Sequence, residues 1–152
     1  MISIGEATTE DDFDALRTLL QEYAAWASEL TAGTSITPTD AAFKEELATL
    51  PGPYARPDGR LLIARVDREA AGCLALKRHG AAEAELKRLY VVPARRGMKI
   101  GRRLVTTILD EARAAGYRRV VLDSHVNLTS AHVIIGRPDS AIFRRHRAFP
   151  LP

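Results

Sequence analysis

Apolar residues recur at helical spacing in the first third of the chain: Phe13, Leu16, Leu20, Tyr23, Ala24, Ala27 and Leu30 fall on one stripe. Thr9-Glu10-Asp11-Asp12 ahead of them has the form of a capped helix start with acids in its first turn. A short strand over residues 2–7 precedes it. The polar run 31–38, with Gly33, reads as a loop, and Thr39-Asp40 caps a second helix that turns Phe43 and Leu47 inward. Pro51-Gly52-Pro53 stops that helix.

The period then changes. Residues 60–67 (RLLIARVD), 71–78 (AGCLALKR) and 83–92 (EAELKRLYVV) read as strands joined by short turns, which predicts an antiparallel meander. Pro93 ends the third. Ile100, Leu104, Val105, Ile108, Leu109 and Ala112 mark an amphipathic helix closed by Gly116, and residues 119–123 (RVVLD) a further strand. A strand–helix–strand unit of that length predicts a right-handed crossover between parallel neighbours. The expected fold is a mixed, mainly antiparallel α/β sheet with helices on both faces.

Composition narrows the picture without redirecting it. At 152 residues, 46% hydrophobic and 27% charged, the chain is expected to be one globular domain spanning 1–152. The lone Cys73 excludes an internal disulfide framework and a multi-cysteine metal site, and none is expected. No apolar run reaches membrane length and Met1 to Gly5 lacks signal-peptide form, so the expected location is cytoplasmic and off the membrane. Charge is distributed unevenly. Residues 1–50 carry ten acidic and two basic residues, whereas residues 86–119 carry ten basic ones against Asp110 and Glu111. The basic stretch attracts anions. Nucleic acid is ranked last among them, because Tyr90 is the only aromatic between residues 86 and 116.

The segment from Leu86 to Leu104 gathers most of the chemistry. A strand enters a basic, glycine-containing turn and a helix starts at once. Unpaired N–H groups at such a start, with the helix dipole, form an anion site. The spacing matches neither a Walker loop nor a dinucleotide fingerprint. Glu85, Lys87 and Arg88 sit in a strand that would be apolar throughout if both faces were covered, so its first half either lines a cleft or forms an exposed strand end.

On these residues the chain resembles the GCN5-related N-acetyltransferase (GNAT) family. Leu89-Tyr90-Val91-Val92-Pro93 matches the strand that precedes the family's phosphate motif R/Q-x-x-G-x-G/A, and Arg96-Gly97-Met98-Lys99-Ile100-Gly101 follows in register. The resemblance covers roughly residues 2–134. It implies acetyl-CoA as cofactor, with backbone groups near Leu89 and Val91 holding the pantetheine arm. It also implies that amides from Gly97 through Arg102 wrap the pyrophosphate, with Arg96 opening the loop. One position departs: Lys99 replaces the first motif glycine, and its side chain either points outward or obstructs the loop.

The resemblance further implies acetyl transfer to an amine, with a base on the strand before the phosphate loop. Glu85 fits that place; its alternative role is a salt bridge to Lys87 or a neighbouring strand. His125 is a second candidate, while His79, His132 and His146 suit solvated positions. Cys73 alternates with Leu74 in a strand, as a packing residue does. Tyr23, Trp26 and Tyr54 flank loops that cover the acceptor in the family; Tyr23 fits the core and Trp26 either role. The acceptor is a small molecule or a peptide bearing an amine. Acid-rich helices would suit a cationic amine, and equally a solvated surface.

The tail departs from the family. Where the family reads A-x-x-L-Y-x-x-x-G-F, with the tyrosine protonating the departing thiolate, this chain reads Ala131-His132-Val133-Ile134-Ile135-Gly136-Arg137-Pro138. Ile135 stands at the tyrosine position, Pro138 ends any helix, and the remainder has poor strand alternation. A permitted set of codons for Ile134 to Phe143, read from its third base, spells Tyr-Arg-Ala-Ala-Gly-Phe-Arg-Asp-Ile. Residues 135–152 are therefore expected to be an atypical, frame-shifted tail. Such a tail would leave a bare sheet edge, where Ile134, Ile135, Ile142, Phe143 and Phe149 suit a homodimer contact. The main expectation is an acetyl-CoA-dependent N-acetyltransferase. The alternative is a catalytically impaired module that binds coenzyme A or a protein partner, favoured by Lys99 and Ile135.

Overall fold

A computed structural model describes the backbone of residues 1–31, 41–124, 129–134 and 142–145, and the side chains of residues 1–26 and 41–121. The order is β1 (Ile2–Glu6), α1 (Glu10–Thr31), α2 (Ala41–Ala48), β2 (Arg60–Val66), β3 (Glu69–Arg78), β4 (Glu83–Val91), α3 (Ile100–Ala114), β5 (Arg119–Ser124), β6 (Thr129–Ile134) and β7 (Ile142–Arg145). The described strands form one sheet in sequence order, β1-β2-β3-β4-β5-β6-β7. Every neighbouring pair is antiparallel except β4–β5, which the α3 crossover makes parallel.

Local chemistry accounts for the helix placements. Thr9 Oγ1 accepts from the Asp12 N–H at 3.1 Å while Asp12 Oδ2 accepts from the Thr9 and Thr8 N–H groups, a reciprocal cap on α1. Those backbone donors, the Thr8 N–H foremost, hold the Asp12 carboxyl down to about 2, and Arg65 of β2 adds an ion pair at 2.9 Å. Alternation on β2–β4 then divides the interior. Leu62, Leu74, Leu76, Leu86 and Val91 pack on Leu104, Ile108 and Ala112 of α3. Leu61, Ile63, Cys73, Ala75 and Tyr90 turn the other way, onto Leu16, Leu20, Phe43 and Leu47 of α1 and α2. Each fully buried leucine or isoleucine contributes about 1.5–3 kcal/mol, so the sheet is clamped from both faces.

The structure departs from the sequence expectation beyond β5. Residues 129–134, where the resemblance placed a helix, form strand β6 against β5, and Ile142–Arg145 form β7 against β6 despite their poor alternation. Ladder hydrogen bonds use the backbone, and Thr129, Val133 and Ile134 are β-branched, so neither pairing needs the alternation that was missing. The β5 edge is therefore covered rather than bare. The rest of the tail and its dimer contacts lie outside the described residues, as do His125 and His146. Among the described residues no helix is long and apolar enough to cross a membrane.

Candidate active site

The site begins where two parallel strands separate. β4 pairs with β5 only through Glu83–Leu86 against Arg119–Leu122. β4 then runs on to Val91 without a β5 partner, while β5 stays paired with β6 to Ser124. A wedge therefore opens past Leu86. The Val92 N–H donates back to Ala71 of β3 at 2.9 Å, so strand alternation turns the Val91 backbone, and Leu89 two residues earlier, toward the wedge. Their side chains pack on the α3-side core. Only backbone groups are left for a ligand, as the resemblance implied for Leu89 and Val91.

A bulge sets the shape of β4 at this point. Cys73 pairs with Tyr90 and Ala75 with Lys87, so two steps on β3 face three on β4. The extra residue is accommodated at Arg88, whose φ of 64° lies in the left-handed region. Gly72 makes room: a β-carbon there would meet the Tyr90 carbonyl oxygen at 2.8 Å. The Arg88 guanidinium forks onto Glu46 of α2, Nε to Oε2 at 2.8 Å and Nη2 to Oε1 at 2.9 Å. Its carbon lies 5.1 Å from the Phe43 ring centroid and 5.8 Å from that of Tyr23. Burial opposes charge on Glu46, but the Arg88 hydrogen bonds outweigh it and hold the carboxyl below its ordinary range. Burial, followed by the negative charge of Glu46, drives the Tyr54 phenol's pKa up. The sequence did not reveal this pin, although Tyr54 was singled out for its loop.

Glu85 stands opposite Lys77 on β3 and Val121 on β5, half-buried. Ala75, opposite Lys87, faces α1 and α2, so Lys77, Glu85 and Lys87 share that face. Among the described side chains Glu85 has an ion pair neither with Lys87 nor with a neighbouring strand, the alternative role weighed for it. Cys73 is core, as expected; burial pushes its thiol up to about 12, and Sγ donates to the Arg88 carbonyl at 3.3 Å. His79 is exposed beside Glu83. Among the described residues no three potential ligands cluster for a metal.

The basic turn follows the wedge. A short turn at Pro93–Arg95 leads to Gly97, whose φ is 89°, and then to Lys99, whose φ of 62° and ψ of 24° also require the left-handed region. Lys99 is exposed and so does not fill the loop; its backbone takes the geometry of the glycine it replaces. No side chain caps α3, which leaves the N–H groups of Ile100, Gly101 and Arg102 without intrahelical partners. Buried Gly101 brings bare backbone to that end, and Met98 and Arg102 are exposed beside it. The Ile100 side chain is sealed in the core, so its amide is the part left for a ligand. The Arg96 guanidinium turns back under the loop, Nε donating to the Val91 carbonyl at 3.0 Å. Its carbon lies 5.2 Å from the Trp26 ring centroid and 5.7 Å from that of Tyr90. Nη2 is buried without a partner. Arg96 thus braces the loop against α1, and Trp26 belongs to that brace.

A wedge between parallel strands thus joins an uncapped helix start, and comparison with known proteins decides the family. The family model described as Acetyltransferase (GNAT) family matches residues 20–134. The chain belongs to the GNAT acetyltransferase family. An uncharacterised N-acetyltransferase of Schizosaccharomyces pombe is 35% identical over 81% of this GNAT chain and 72% of its own length. An IAA acetyltransferase of Azospirillum brasilense is 36% identical over 74% of the chain and 68% of its own. Among solved structures, a PaiA N-acetyltransferase of Thermoplasma acidophilum in complex with coenzyme A superposes with a TM-score of 0.67 at 24% identity, over 82% of this chain and 80% of that one. An acetyltransferase of Streptococcus agalactiae gives 0.63 at 25% identity, over 81% and 73%.

Proposed function

We propose that this GNAT enzyme transfers an acetyl group from acetyl-CoA to an amine of a small molecule or peptide, with Glu85 as the base. The observation that carries the reading is the continuity of the β4 wedge with the uncapped start of α3. The residues present fit coenzyme A: free amides at Ile100, Gly101 and Arg102 suit the pyrophosphate, and the loop from Arg96 to Lys99 leaves them open. The Leu89 backbone and the Val91 N–H on the wedge suit the amides of the pantetheine arm, the Val91 carbonyl already accepting from Arg96. When bound, acetyl-CoA supplies a thioester whose carbonyl carbon bonds to the amine nitrogen as the C–S bond breaks, and the departing sulfur takes a proton from water.

Glu85 takes the proton that the ammonium must lose before the neutral amine attacks, directly or through one water. Its place on the α1–α2 face, one residue before the last β4–β5 pair, supports that role. Ile135 stands where the family has its tyrosine and carries no proton to donate, which is why the thiolate is assigned to solvent. That residue also favours the second reading, a module that binds coenzyme A without turnover.

Thiol release measured against a panel of amines separates the two. Glu85→Gln is expected to lower kcat by about 10²–10⁴ with acetyl-CoA affinity kept. An unchanged kcat would remove Glu85 from the mechanism, and binding of acetyl-CoA without turnover of any amine would favour the module.

A further inference from the structure

On the reading just given, the acceptor's own charge pattern is written on β3 and β4. Lys77, Glu85 and Lys87 lie on one face, Lys77 opposite Glu85 and Lys87 opposite Ala75. Lys87 is also the first β4 residue past the last β4–β5 pair, Leu86 with Leu122. It is half-buried at the mouth of the wedge and, among the described residues, has neither an ion pair nor a hydrogen bond. Burial first, and repulsion from Arg88 second, lower its pKa. The neighbouring cation has its own partner, since Arg88 is forked onto Glu46. Lys87 therefore bears a desolvation cost that no described side chain offsets through direct contact.

We propose that the acceptor is a zwitterion, an amino acid or a close relative, with its ammonium on Glu85 and its carboxylate on Lys87. The dimensions agree. Residues two apart on a strand are separated by about 6.7 Å. The amine and carboxylate of an α-amino acid lie roughly 3 Å apart, and a charge-assisted hydrogen bond of about 2.8 Å at each end bridges the remainder once the two side chains lean outward. Lys77 adds a second positive charge across the strand. The phosphates of coenzyme A do not compete for Lys87, because the α3 start lies beyond Val91, four residues and about 13 Å further along the strand. Among the described acids of the covering helices, Glu46 already has its partner in Arg88.

Initial rates of acetyl-CoA consumption with the common L-amino acids and with their C-terminal amides test this, with acetyl-CoA binding followed separately by calorimetry. The best amino acid is expected to exceed its own amide in kcat/KM by about tenfold or more, mostly through KM. Lys87→Met, which folds without the buried charge, should bring that ratio close to one, and Lys87→Arg should restore part of it. Amides that react as well as the acids overturn the proposal, as does a ratio untouched in Lys87→Met. Turnover of simple amines alone, or of no amine while acetyl-CoA binds, overturns it too. Absence of acetyl-CoA binding is a different failure, of the reading beneath it.

Discussion

Lys99 shows what one backbone angle decides. A β-carbon in the left-handed region costs about 1–2 kcal/mol, and Lys99 carries that cost at a φ of 62°. The sequence displayed the lysine in place of the motif glycine but left both side-chain directions open, because composition does not report the sign of φ. The exposed position of Lys99 resolves it. Lys99→Gly is expected to raise stability in urea by up to about 1 kcal/mol, the relief of strain being partly offset by the freer unfolded chain. Its affinity for acetyl-CoA should match or exceed that of the parent in calorimetric titration. A destabilised or weaker-binding variant would mean that the lysine side chain serves the loop. Arg96 makes the complementary point: its place in the motif was legible, whereas its retreat onto Trp26 and Tyr90 depends on α1, distant in sequence.

At the scale of elements, the strands from β1 to β5 and the three helices were written in the apolar periods, since each buries one face or stripe. The polar first half of β4 also pointed to a cleft. Two features of β4 were not legible. Its parallel pairing stops at Leu86, and its bulge falls at Arg88; both depend on contacts with β3, β5 and α2. The Arg88–Glu46 pin ties α2 to the bulge. Both side chains are largely buried, 12% and 16% exposed, and removing one strands the other's charge. Arg88→Ala is therefore expected to lose roughly 3–5 kcal/mol in denaturant titration, with Arg88→Ala/Glu46→Ala losing less than the two single changes together. Strict additivity would show that the two residues act independently. β6 went unread for a related reason: the family pattern suggested a helix there, while pairing to β5 makes the segment a strand.

At the scale of the molecule, the family match ends at residue 134, where the tail leaves the family's pattern. That coincidence supports the proposed change of reading frame, in which Ile135 replaces a tyrosine through a shift of one base rather than a substitution. The gene is expected to carry codons for residues 134–143 that spell Tyr-Arg-x-x-Gly-Phe from the third base; codons that cannot do so reject the proposal. The sheet, the crossover and the basic loop were legible because they belong to the part of the chain that follows the family, and the tail was not because it no longer does. The central claim, that the wedge and the α3 start bind acetyl-CoA, is tested most directly by thermal unfolding with and without that ligand. At 100 times its dissociation constant it should stabilise the fold by about 2.7 kcal/mol, a saturable midpoint rise of roughly 5–10 °C. An unmoved midpoint at millimolar acetyl-CoA would contradict the claim.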